Sequence, residues 1–413
     1  MTSNNQQSGT ALLKYLSYLM VAISLFGTAV VNAGDREDAA RMYARLAGAI
    51  PDNAMLDQIE SRMSDPVAAA LYIIDNTPSF YNVTLKNFAA PWTNEAQDIF
   101  VPLNDYTATV IGMIRDGMDF RQVLSADIIY RATSATGVSG YSNFNNNHYQ
   151  ELEALGPVDG DLSNNSVLEQ APQSSVSNLD SSATAGVMTT RAAAAAFFSG
   201  GTNRAMLRFT LMNHLCTDLE PLKDISRVPD RVRRDVSRSP GGDSRIFMNN
   251  CVGCHAGMDG LAGAFAHYEY NEATGALEYQ AGNANFDQNA VSIKHNINPN
   301  NFKYGFVTIN DSWINYWRNG PNKLLGWNNS SAGFDDKGHS TGTGARSLGV
   351  ELAHTRAFST CQVKKVFKAV CLRDADVFAA DRNELNGIAN AFEIDGNMKN
   401  VFASVAAHCR TPQ

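Results

Sequence analysis

Cys251-Val252-Gly253-Cys254-His255 is the run on which the reading of this chain turns. Two thiols separated by two residues lie on one short turn and can both add to the vinyl groups of a single porphyrin. The histidine that follows then falls under the iron as its proximal ligand. Gly253 is expected to relieve crowding in that turn. A bare CxxC also serves zinc knuckles and thioredoxin-like redox pairs, but no second CxxC is present to complete a zinc site. The run therefore predicts one covalent haem c per chain, with Cys251 and Cys254 as attachment points and His255 on the iron.

Haem attachment of this kind takes place after export, and the N-terminus agrees. Lys14 closes a polar leader, residues 15–31 are apolar, and Val31-Asn32-Ala33 offers small residues for cleavage. Residues 1–33 are read as a signal peptide, cleaved in preference to staying as an anchor, which places the mature protein in the periplasm or another extracytoplasmic space. No later stretch is apolar enough to span a bilayer. With 413 residues, 18% charged, 44% hydrophobic and a formal net charge of -8, the chain has the composition of an ordinary globular protein. It lacks the basic excess of a nucleic-acid binder. It is also far longer than one small haem domain requires.

Of six cysteines, two are assigned to haem, leaving Cys216, Cys361, Cys371 and Cys409 for two disulfides. Cys361 and Cys371 fall on one expected helix, 357–371, where ten positions put them about 15 Å apart, beyond disulfide reach. If the three tail helices 357–371, 382–392 and 396–409 run up, down and up, the first and third end at the same level. That brings Cys371 to Cys409, and Cys216 is then expected to pair with Cys361.

The predicted fold class is mainly α: a helical N-terminal domain (34–132), a loop-rich connecting region (133–200) and a helical, cytochrome c-like haem domain with long irregular loops ending in the three-helix tail (201–413). Helical spacing is clear in 35–47, 55–63 and 66–74, and again in 191–198 and 203–215. Trp92, Phe100, Tyr106 and Phe120 are read as core aromatics. His148, among Asn145, Asn146 and Asn147, is read as a solvated loop histidine. Arg227, Arg231, Arg234 and Arg238 recur at helical spacing, with Arg233 and Arg245 nearby. Internal i,i+4 pairs favour a solvated helix face, against a docking surface or a set of partners for haem propionates. A hairpin is expected around 271–275, and Trp313, Tyr316, Trp317 and Trp327 are read as a wall of the haem crevice in preference to general core.

The segment 242–251, a glycine followed by a short helix with Phe247 running into CxxCH, resembles the opening of a class I cytochrome c domain. Such domains supply a distant methionine as second axial ligand, yet no methionine lies between Met258 and Met398. More widely, the helix at 39–47, the stretch 119–124, the run 202–216, residues 251–260 and the tail from Gly349 through Phe358, Cys361 and Phe367 resemble, in that order, the large planctomycete-type cytochrome c proteins. That resemblance implies an exported, mostly helical haem protein and implies no established substrate.

The ligand on the other face of the iron is open at this stage. Met258 is too close to His255 in sequence to reach that face. His267, His295, His339 and His354 lie at suitable distances, with Met398 and His408 further off. His295, between Ile293 and Ile297, is the preferred candidate for the sixth ligand, giving a low-spin, bis-histidine iron whose natural role is electron transfer with a redox partner protein. The alternative is a haem-dependent oxidase or peroxidase with an open sixth position. A weaker third reading is a binding protein with structural or sensory haem. No catalytic residue is assigned, since no carboxylate pair, phosphate loop or nucleophile elbow stands out.

Overall fold

The computed structural model describes residues 34–280, 291–375 and 378–411. The leader at 1–33 and the far end of the expected 268–284 hairpin region lie outside the described residues. The chain is mainly α, with three small antiparallel sheets among the described residues. At the N-terminus, α1 (Asp35–Ala47) buries Ala39, Met42 and Leu46 on one face and ends at Gly48, whose φ of 65° suits a residue without Cβ. Asp52 caps α2 (Asn53–Glu60) by accepting from the Met55 amide at 2.8 Å. Asp65 does the same for α3 (Pro66–Asn76), where Pro66 occupies the first turn. α4 (Asp105–Arg115) is buried along its whole length, as its apolar, threonine and glycine sequence allows.

The two ends of the chain share one core. In the tail, α10 (Arg356–Cys371), α11 (Ala379–Asp395) and α12 (Met398–His408) pack on one another, and α12 lies against α3. Phe402 of α12 meets Phe80 and Phe88 edge-on, with ring centroids 5.1 and 5.3 Å apart. Both expected disulfides are present: Cys371–Cys409 joins the ends of α10 and α12 with Cα atoms 5.7 Å apart, and Cys216–Cys361 ties the chain after α7 (Arg204–Leu215) to α10 at 5.3 Å.

The middle of the chain departs from the sequence reading. The loop-rich region 133–200 carries elements its composition did not announce: β2 (Leu168–Ala171) pairs antiparallel with β1 (Ile129–Ala132), and α5 (Asn147–Ala154) packs on β1. His148 is 3% exposed, its Nε2 accepting from the Ala132 amide at 2.9 Å and its Nδ1 facing the Ser139 carbonyl at 2.6 Å. It is a buried structural group, hidden from sequence inspection because its partners, the end of β1 and the Ser139 carbonyl, lie 16 and 9 positions before it with no local signal that links them to the ring. Conversely Phe100 is 87% exposed, whereas Trp92, Tyr106 and Phe120 are buried as expected.

Around the CxxCH run, α8 (Val252–Ala262) crosses α7, and β3 (Tyr268–Asn271) forms the expected hairpin with β4 (Ala276–Tyr279). β5 (Ser312–Asn315) pairs with β7 (Ser340–Thr343), which also pairs with β6 (Gly333–Phe334). Glycines let β5 and the turn after it press on α8. A Cβ at Gly257 would collide with the Trp317 indole, one at Gly260 would stand 2.9 Å from the Ile314 carbonyl oxygen, and one at Gly263 would stand 2.5 Å from that of Ser312. Gly257 lies about 200° around the helix from His255, so Trp317 backs the helix on the side away from the histidine. The tryptophans fill core there: Trp313 donates to Ser347 Oγ at 2.8 Å and Trp327 to the Trp317 carbonyl at 3.0 Å. Among the described residues no helix is long and apolar enough to cross a membrane.

Candidate functional site

Cys251 closes a short wide-turn helix, Phe247–Cys251, and Cys254 lies in the first turn of α8. The spacing of three puts both thiols on one side of the helix. Both are free and partly exposed, in a chain whose other four cysteines are oxidised. Gly253 is needed, though for a different reason than crowding within the turn. The segment 223–225 passes directly over it, so that a Cβ would stand 2.8 Å from Lys223 Cγ, while the Asp224 amide donates to the Gly253 carbonyl at 3.1 Å. Beneath Cys251, Val232, Phe247 and Val252 form a small apolar cluster separate from the main core. Burial pushes the Cys254 thiol above its ordinary value.

His255 is held by Asp259, one turn further along the same helix. Its Nδ1 lies 3.2 and 3.3 Å from the two carboxylate oxygens. Asp259 is in turn gripped by Arg204 of α7, whose Nε and Nη2 donate at 2.6 and 2.9 Å, while Arg204 also binds Asp235 at 2.7 and 3.0 Å. Burial acts to raise the Asp259 carboxyl, but Arg204, His255 and Arg233 override it and hold the group well below the usual carboxylate range. An ionised Asp259 places the imidazole proton on Nδ1. The lone pair is then on Nε2, the nitrogen available to a metal.

Arg233 extends the network. Its backbone amide donates to Asp259 Oδ2 at 3.2 Å, and its Nη1 reaches the Thr202 carbonyl at 3.1 Å and His295 Nδ1 at 2.7 Å. Burial lowers the Arg233 guanidinium to about 10, with Arg204 adding to the effect. His295 is also buried, and burial followed by the Arg233 charge keeps it well below its ordinary value and neutral. Its Nε2 is buried without a hydrogen-bond partner. Because a guanidinium can only donate, Nδ1 accepts and the proton of the neutral ring sits on Nε2, so this tautomer would have to reverse before Nε2 could bind a metal.

The arginine stretch is therefore not a solvated helix face. Residues 227–238 form turns, with Pro229 unable to continue a helix and residues 232–234 exchanging backbone bonds with 302 and 306. Asp235 pairs with Arg204, not with Arg231. Arg238 stacks over Phe247 and Phe302, with its guanidinium carbon 4.9 and 4.4 Å from the ring centroids.

The remaining ligand candidates stand elsewhere. His267 lies 3.6 Å from Asp311, and His339 is bonded to Asp335 at 2.8 Å beneath Tyr316. His354 ends α9 (Gly344–Ala353) with its Nδ1 2.8 Å from the Val350 carbonyl, His408 binds Asp381, and Met398 is buried at the start of α12. His295, by contrast, is joined to His255 by hydrogen bonds running through Arg233 and Asp259. Sequence reasoning missed Asp259, although an acid four residues after a helical histidine is a readable signal. It also missed Arg204, which nothing local marks.

Among the described residues no group of three or more His, Cys, Asp and Glu side chains is arranged to hold a bare metal ion. The donor set at 251–255 is of another kind, two thiols and an imidazole on one turn, and it fits a covalently attached haem. Compared with known proteins, the chain matches no family model, no curated protein and no solved structure.

Proposed function

We propose that this chain is an exported monohaem c-type cytochrome that passes electrons to or from a redox partner protein. Cys251 and Cys254 would hold one haem c covalently, and His255 would bind its iron, with His295 as the candidate second ligand. The observation that carries the reading is the contrast among cysteines: two free thiols on one helical turn, directly followed by a histidine with its Nδ1 on a carboxylate, in a chain whose other four cysteines are paired. The haem supplies a one-electron ferric/ferrous couple. Asp259 keeps the His255 proton on Nδ1 and makes the ring a stronger donor, which favours the ferric state. Arg204 fixes Asp259, and Val232, Phe247 and Val252 give apolar cover beside the attachment turn. Oxidised cysteine pairs suit the extracytoplasmic location in which haem attachment takes place.

A second reading, a haem oxidase or peroxidase, draws on the same His255–Asp259 pair, because a strongly donating imidazole also suits an iron that visits higher oxidation states. Expression with a haem-attachment system, followed by heating in acid and intact mass, is expected to show one retained haem. Covalent haem on a Cys251→Ser, Cys254→Ser chain would overturn the assignment. Ferrous and ferric spectra with and without carbon monoxide separate the two roles: low-spin iron that binds carbon monoxide slowly supports the carrier, and high-spin iron the enzyme.

A further inference from the structure

The guanidinium edge formed by Nε and Nη2 presents two parallel N–H groups that match the two oxygens of a carboxylate. This protein uses that edge repeatedly. Arg208 grips Asp218 with it at 2.8 and 2.7 Å, Arg318 grips Glu351 at 2.8 and 2.9 Å, and Arg121 grips Asp119 at 2.8 Å on both sides. Arg204 grips Asp259 in the same way. Arg131, Arg227 and Arg234 each leave a buried Nε without a hydrogen-bond partner, but among the described residues Arg233 is the one arginine that leaves both atoms of the edge unmet. It is 2% exposed, its Nη1 is occupied by Thr202 and His295, and its Nε and Nη2 are both buried with no hydrogen-bond partner. Leaving a buried charged donor unmet is costly, so a fold that retains two on one edge points to an acceptor that the described residues do not contribute. The nearest carboxylates cannot serve, since the side chains of Asp259 and Asp235 are both engaged by Arg204. Arg233 itself lies beside the turn that carries the two thiols, because its backbone amide is bonded to the carboxylate that holds His255.

We infer that the Nε/Nη2 edge of Arg233 is a receptor for a carboxylate, and that this carboxylate is a propionate of the haem attached at Cys251 and Cys254. The inference rests on the haem reading above. A haem tethered within one helical turn brings its own carboxylates to the neighbourhood, and a propionate taken out of water needs a charged, hydrogen-bonding partner. Arg233 is thereby a positioning residue for the haem edge, while its Nη1 orients His295.

The test uses the full haem-loaded chain with the propionate carboxylates isotopically labelled, read by redox-induced infrared difference spectroscopy and by midpoint potential. Arg233→Lys keeps the charge and removes the fork, whereas Arg233→Gln removes both. The label-sensitive carboxylate band is expected to move in both variants. The potential is expected to fall only in Arg233→Gln, by roughly tenfold in the ferrous-to-ferric ratio, or about 59 mV for a one-electron couple. An unmoved band in variants that carry haem overturns the propionate contact and leaves the haem reading standing. A wild-type chain without covalent haem overturns both. Should neither variant fold, a crystal structure of the loaded wild type decides, and propionate oxygens beyond about 3.5 Å from Nε and Nη2 overturn the inference.

Discussion

Gly257 and Gly387 both sit inside helices, yet replacing each by alanine has opposite expected signs. At Gly387, on an exposed face of α11, nothing lies within 4 Å of an added Cβ. Gly387→Ala should therefore stabilise the protein by about 0.5–1 kcal/mol through helix propensity alone. At Gly257 the added methyl runs into the Trp317 indole, so Gly257→Ala should cost about 1–3 kcal/mol from overpacking and displace the turn carrying Trp317. Urea midpoints of the two variants would check the pair, and a Gly257→Ala protein as stable as the parent would contradict this packing. Charge gives a second contrast at this scale. Lys365 carries its ammonium over the Trp92 ring, 4.4 Å from the centroid, and burial lowers its pKa to about 7. Between about pH 7 and the ordinary lysine value near 10.4, the unfolded chain then binds more protons than the folded one, so this group makes stability rise with pH across that window. The cost is fully present below about pH 7. Lys365→Met should raise stability at neutral pH and flatten the alkaline rise, measured as urea midpoints from pH 6 to 10.

Among the elements, the tail helices show what local signals can and cannot say. Their order and breaks were readable from helical periodicity and from Asp395-Gly396, and the up, down and up run was the assumption that joined them; the structure adds Asn397 as a cap that accepts from the Lys399 and Asn400 amides. That geometry is why both disulfides could be paired from sequence. In a chain-entropy account, the 38-residue separation of Cys371 and Cys409 implies about 4 kcal/mol and the 145-residue separation of Cys216 and Cys361 about 5 kcal/mol. Cys371→Ser, Cys409→Ser should accordingly lower unfolding free energy by up to about 4 kcal/mol, and non-reducing peptide maps of the parent should show these two pairs and no others. The β1–β2 ladder could not be read this way. Ile129 faces Ala171 across 42 positions of chain, its strands are four residues long, and neither alternates clearly in polarity. The arginine stretch misled because its spacing matched a helix by coincidence, while the true partners, 302 and 306, lie some seventy positions away. At the site, Cys251, Cys254 and His255 could be singled out because the chemistry proposed for them requires adjacent positions. The network of Arg204, Asp259 and Arg233 was not, since three separate segments build it.

On the scale of the whole molecule, the packing is uneven in a way that should be measurable. The main buried core runs continuously from α1 through α4 to the tail, and α12 closes it against α3 with Phe402 set between Phe80 and Phe88. The attachment turn stands instead on the small cluster of Val232, Phe247 and Val252, flanked by exposed Ile225, Val228, Ile246 and Met248. Few buried apolar contacts mean a low free energy for local opening. Native-state hydrogen exchange without haem should therefore show amides of 225–252 and 302–306 exchanging through a sub-global opening, while those of α3, α4 and α12 exchange only with global unfolding. Phe402→Ala, expected to cost about 3–5 kcal/mol, should lower protection of α3 and α12 by the same amount, since both ends of the chain belong to one cooperative unit, and leave the sub-global opening of 225–252 where it was. Attachment of haem should act in the reverse sense, because a group bound only by the closed form stabilises that form by mass action or by covalent tether: protection at 225–252 should rise towards that of the bundle. Equal protection of the attachment turn with and without haem, or loss of protection in α12 without loss in α3 on Phe402→Ala, would contradict this division of the molecule into a disulfide-braced helical frame and a haem-dependent edge.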